Sequence, residues 1–266
     1  MVEERERIHF VQEAYAGIDV AFAKNKRLPV VVTVRSGSGL EPLPLRSASV
    51  KPPAGRGNVG ILDNEAVRAF AEQTVAYLTS IESESGVRVV RIAIDAPSGP
   101  KAVGVARRQC EIGLDSRRIS CITTPSLAEF AMIRQKALSH LASGGAESRI
   151  PGANQLWMLI GFELFRRLRR DWECLEVFPQ AIATVLGARD IHKSHRNGIL
   201  RQLAATARHT GWPAVGGITS LDPICYGSYH DRLDAYLSAW VASLTNRDRT
   251  AIGYPPDDVI WVPCLW

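Results

Sequence analysis

The chain predicts an α/β fold, a mixed sheet flanked by helices, and three observations carry that prediction. Valine-rich or isoleucine-rich runs of strand length recur at "YAGIDVAF" (15–22), "LPVVVTVR" (28–35), "VRVVRIAIDAP" (87–97) and "CLEVFP" (174–179). Segments with apolar residues at helical spacing separate the later strands, so strands joined through them run parallel. The length, 266 residues with 46% hydrophobic and 22% charged, suits a single domain spanning 1–266 with a sizeable core.

The first two strands follow each other closely, joined by the basic stretch "AKNKR", which reads as a hairpin connection. Residues 36–60 are rich in Gly, Pro and Ser and read as loop, with room for a short third strand near Leu43–Ser47. A helix follows, because Val67, Phe70, Ala71, Val75 and Leu78 recur on one face. Asp63 or Asn64 offers its N-cap and Gly86 its C-terminal stop. The fourth strand ends at Asp95, and residues 98–152 then form a lid-like insertion, irregular apart from a helical pattern around Ala128–Leu141. Helices are expected at 155–170, at 194–209 with Ser194 as N-cap, and at 230–244. The fifth strand lies between the first two of these, and the terminal "VIWVPCLW" is an apolar segment with no assigned place in the sheet.

Several function classes fall away on composition. No run reaches the ~18–20 apolar residues of a membrane span, and the charged start "MVEERERIHF" has no signal-peptide core. A cytoplasmic protein with no membrane partner is expected. Five scattered cysteines, none in a CxxC pair, argue against a disulfide framework and against zinc. A net charge of +5 and a pI near 9.1 lean toward anionic partners such as nucleic acid.

Against this background the aspartates stand out. Asp19 interrupts the apolar first strand, Asp95 ends the fourth, and Asp231 and Asp234 lie three apart on one face of the last helix. If the first and fourth strands are neighbours and parallel, Asp19 and Asp95 sit side by side. Carboxylates drawn to one point repel each other unless a cation stands among them. Hard oxygen donors suit Mg²⁺ or Mn²⁺, and two such ions ~3.5–4 Å apart assist phosphodiester cleavage. Each acid also has a local explanation: a strand end for Asp19, a turn before Ala-Pro for Asp95, and the helix dipole for Asp231.

The pattern "GIDVA … IAIDAP … RRQCE … LEVFP … DRLDA" resembles the uncharacterised family of predicted RNase H-like nucleases, related by fold to RuvC-type junction resolvases and RNase H. That resemblance implies a five-stranded sheet of order 3-2-1-4-5. It implies metal-ligand and catalytic roles for Asp19, Asp95 and Asp234, with Asp231 as companion, around two Mg²⁺ or Mn²⁺ ions. It matches Glu176 in "LEVFP" to a family position without fixing its role, and implies nucleic acid as partner. A homodimer is also among the implied partners, since junction cutters of this fold are often dimers. Arg107, Arg108 and Lys193 are the candidate phosphate contacts, although the two arginines could equally pair with Glu111 one turn away. His230 is either a general base or an exposed histidine preceding the last helix, and His192 and His195 alone make a poor metal site. The four arginines of "FRRLRRD" read first as a solvated helix face. Two other classes stay open: a non-catalytic RNase H-like domain that binds nucleic acid or protein, and an ATP-using relative of the actin-like fold. The chain has no duplicated half to favour the last.

Overall fold

The computed structural model describes residues 11–20, 26–189, 193–215, 217–256 and 258–265. Three strands open the chain: β1 (Gln12–Asp19), β2 (Val30–Ser36) and β3 (Gly39–Pro42). The third strand lies earlier than Leu43–Ser47. There the prolines at 42 and 44 deprive the ladder of donors, and Leu45–Ser47 closes into a 3₁₀ turn instead. Next come α1 (Gly57–Ile61), α2 (Asn64–Ser85) and β4 (Val87–Asp95). α2 is capped as its sequence indicates. The Asp63 carboxylate accepts from the Glu65 amide at 2.9 Å, and Gly86 ends the helix at φ 63°, where a side chain would be strained.

The segment after Asp95 holds α3 (Gln109–Ser116) and α4 (Leu127–Ala142), then α5 (Ala153–Leu156) and α6 (Met158–Leu168). The helix expected over 155–170 is thus broken near Trp157. β5 (Glu173–Val177), α7 (Pro179–Val185), α8 (Arg196–Thr210) and α9 (Tyr229–Ser243) follow, and the chain returns to the sheet as β6 (Arg249–Tyr254) and β7 (Asp258–Pro263). His195, not Ser194, occupies the N-cap of α8.

Among the described residues the sheet has seven strands in the order β3-β2-β1-β4-β5-β7-β6, not five. The expected 3-2-1-4-5 order is contained within it. "VIWVPCLW" supplies part of the difference, because β7 pairs antiparallel with β6 and parallel with β5 at Val177–Trp261. β1 pairs antiparallel with β2 and parallel with β4, and β4 pairs parallel with β5. The carboxyl ends of β1, β4 and β5 therefore share one edge.

Side chains alternate between two cores. Ile18, Ile92 and Ile94 face α2 and α6 with Phe70, Leu78, Leu164 and Phe165. Tyr15, Ala93, Leu175 and Val177 face α9 with Tyr236 and Trp240. Gly17 permits the tight seating of α9 on β1. A methyl group there would stand 2.0 Å from the Ala235 carbonyl oxygen and 2.2 Å from the Ala239 amide nitrogen, so only glycine fits.

Candidate metal centre

Period-two alternation puts Asp19 in step with Tyr15 and Gly17, and Asp95 in step with Ala93, on the face that α9 covers. The β1–β4 register aligns Asp19 directly with Asp95. α9, held close by Gly17, brings Asp234 over the same point. One carboxylate oxygen from each of Asp19, Asp95 and Asp234 lies within 4.8 Å of the others. The two strand acids are partly buried and Asp234 is 4% exposed, too little for water to screen it.

Charge in this cluster is unbalanced. Lys193, just before α8, donates to one oxygen of Asp234. The other, Oδ1, is buried with no hydrogen-bond partner among the described residues. Burial, then repulsion from Asp234 and Asp95, raises Asp19 well above the usual carboxylate range. Burial and Asp234 push Asp95 up to about 8. Burial raises Asp234 too, although Lys193 opposes it. Lys193 itself is held above its ordinary value: burial works against its charge, but the three acids outweigh that cost. Among the described residues, one ammonium facing three carboxylates leaves an excess of negative charge, which burial makes expensive. An all-oxygen donor set with an unpartnered oxygen fits a hard divalent cation.

Asp231, one turn earlier on α9, does different work. Its Oδ2 accepts from the Ser228 amide at 2.7 Å and from the Ser228 hydroxyl at 2.6 Å, capping the helix, and it pairs with Lys26. Burial works to raise its pKa, but Lys26 and the Ser228 donors hold it below the ordinary value. His230 lies 3.0 Å from Asp231 Oδ1 and from Ser228 Oγ.

Glu176 pairs in register with Ile94, one residue out of step with Asp95, so it belongs to the opposite face. There it meets Arg108 through two hydrogen bonds of 2.7 and 2.8 Å and accepts from the Ser98 amide at 2.7 Å. Asp258 lies 3.4 Å from the same guanidinium. At 5% exposure Arg108 is an internal counter-ion, and Arg107 is committed to Asp115 and Glu111. Neither arginine presents a free guanidinium to the acid cluster. In "FRRLRRD", Arg166 pairs with Glu163, and Arg167 with Glu72 and Asp171, as a solvated face would. His192 lies outside the described residues.

Sequence reasoning missed the Arg108–Glu176 pair and the Lys26–Asp231 pair. Each joins residues far apart in the chain, and no local spacing announces them. It also missed a cavity of about 270 Å³ that opens beside Asp95 between α3, β5 and the start of α6.

Residues 53–259 match the family described as "Protein of unknown function (DUF429)", which is more than half of the chain. This chain belongs to that family. No curated protein and no solved structure matches it. The DUF429 span includes Asp95, Lys193 and Asp234, whereas Asp19 is contributed by the strand that precedes it. Among the described residues, no helix is long and apolar enough to cross a membrane.

Proposed function

We propose that this protein is a divalent-metal-dependent nuclease of RNase H-like build, working on nucleic acid in the cytoplasm. The observation that carries the reading is the convergence of Asp19, Asp95 and Asp234 at the carboxyl edge of parallel strands, with more negative charge than Lys193 neutralises. The 3-2-1-4-5 strand order within the larger sheet and the basic net charge support it. Mg²⁺ or Mn²⁺, when bound, supplies Lewis-acid activation of water and stabilisation of the leaving oxygen.

The chain's own residues do the rest. Asp19 and Asp95, aligned by the ladder between β1 and β4, offer oxygens within 4.8 Å of each other to a cation. Asp234 adds its unpartnered Oδ1 from α9. Lys193 gives positive charge at the same point, where it can hold a phosphate oxygen. Asp231 sets the start of α9 and so the position of Asp234. We read residues 98–152, which contribute Arg108, Glu111 and Thr124 to the neighbouring cavity, as the lid over a bound strand.

Asp19→Asn tests the mechanism. It is expected to abolish Mn²⁺-dependent cleavage across a panel of DNA and RNA substrates while circular dichroism stays unchanged. Full activity in that variant would end the proposal. The Lys193–Asp234 ion pair favours one other reading, a non-catalytic domain in which the lysine takes the cation's place. That reading predicts nucleic-acid binding with no cleavage and no measurable Mn²⁺ affinity.

A further inference from the structure

The cavity beside Asp95 has a chemistry of its own. Trp157, before α6, and Phe178, at the N-cap of α7, give it two aromatic walls, and Leu114 and Met158 add apolar surface. Its charged neighbours are already matched. Arg108 and Glu176 hold each other, and Glu111 accepts from the Thr124 amide at 2.7 Å and the Arg108 amide at 3.2 Å. An anionic group entering here would meet Asp95 and a balanced ion pair, so the lining favours a neutral ligand. Thr124 lines the cavity, and its buried hydroxyl has no hydrogen-bond partner among the described residues. A buried hydroxyl left unpaired carries a free-energy cost that a ligand's polar edge relieves.

Aromatic walls, an unpaired hydroxyl in the wall, a matched Arg108–Glu176 pair and Asp95 in the lining together describe a site for a planar, neutral, hydrogen-bonding ring. The geometry points to a subsite for an unstacked nucleobase, belonging to the nucleotide next to the phosphodiester held at the acid cluster. This inference rests on the nuclease reading and narrows it. A base inside an uninterrupted duplex is stacked and paired on both sides and cannot enter such a cavity without being extruded. The preferred substrate is therefore a single strand, a flap or a frayed end, gripped by stacking as single-strand binders grip theirs.

The test is fluorescence anisotropy with a labelled single-stranded oligonucleotide of mixed sequence in EDTA, where cleavage does not intervene. The comparison strands are one of equal length with abasic residues and the matching duplex. The base-bearing strand is expected to bind at least about tenfold more tightly than the abasic one, and more tightly than the duplex. Phe178→Leu and Thr124→Val should each remove much of that preference while leaving affinity for the abasic strand unchanged. Thr124→Val preserves side-chain shape, so it answers even if Phe178→Leu fails to fold. Equal binding of base-bearing and abasic strands, or an unchanged preference in Thr124→Val, overturns the subsite. The nuclease reading fails separately. Base preference without Mn²⁺-dependent cleavage by the parent protein sinks catalysis and keeps the subsite, whereas cleavage without base preference does the reverse.

Discussion

Asp95 and Glu176 lie near the ends of neighbouring parallel strands, one residue out of register, and their surroundings could hardly differ more. Glu176 is fully matched: Arg108 meets both oxygens, Ser98 adds an amide, and Asp258 shares the guanidinium. Among the described residues Asp95 faces two more acids and a single ammonium, and its pKa rises to about 8 from burial and Asp234. One arrangement joins the segment after β4 to the sheet. The other is a cluster that folding alone leaves unsatisfied. A buried carboxylate is thus matched or left in excess according to its counter-charge, and the counter-charge depends on which face of the sheet the register selects.

The sharpest way to break this contrast is to neutralise each side in turn. Glu176→Gln strands the Arg108 charge in a buried place and is expected to cost about 3–5 kcal/mol of stability. Urea unfolding measures it, and Mn²⁺ affinity by calorimetry should stay at the parent value. If Glu176→Gln proved harmless, the matched side would not be the joint described here. Asp234→Asn should do the opposite. Mn²⁺ affinity falls by more than about 100-fold, since even groups that only orient a ligand contribute 10–100-fold, and the metal-free protein unfolds no earlier than the parent.

A smaller effect comes from pH. Asp95 titrates near 8 in the fold against 3.8 for its ordinary value. Between these values the folded state holds a proton that the unfolded chain has released. Stability from this group therefore falls as pH rises from about 4 to about 8, with Asp19 and Asp234 displaced in the same direction. The Tm difference between Asp95→Asn and the parent, both metal-free, should grow across that window, by about 2–4 °C for each kcal/mol relieved. A difference that stays flat with pH would contradict the unbalanced charge. The smallest effect is expected at Arg107→Gln, whose partly exposed pairs with Asp115 and Glu111 are worth about 0–1 kcal/mol in thermal unfolding.

Much of the fold was legible before any coordinates, because it rests on short-range rules. The alternating and valine-rich runs mark β1, β2, β4 and β5, Asp63 and Gly86 bracket α2, and helical crossovers make β1, β4 and β5 parallel. These rules set Asp19 and Asp95 at the carboxyl ends of parallel strands, and the pairing of β1 with β4 in register then aligns the two acids. The seventh strand was hidden for the converse reason. β7 is a short apolar run whose meaning depends on β5, far back in the chain. Within "DRLDA" the spacing of three put Asp231 and Asp234 on one face, and only the first-turn position of Asp231, where the helix dipole favours an acid, set the two apart. Ser228 and Lys26 claim the first, while the second is carried on to the strand acids.

The sequence by itself thus determined the central strands, the parallel run of β1, β4 and β5, and an aspartate at the carboxyl end of the first two. These depend on periodicity and on residues within a turn of one another, whereas the register that makes the two aspartates meet is tertiary. Tertiary structure alone decided which further groups arrive there. Lys193 reaches Asp234 across 41 residues, Arg108 reaches Glu176 across 68, and Gly17 admits α9 closely enough for Asp234 to join Asp19. Local pattern can prescribe a carboxylate, but its charge balance is set by whatever packs against it from elsewhere in the chain.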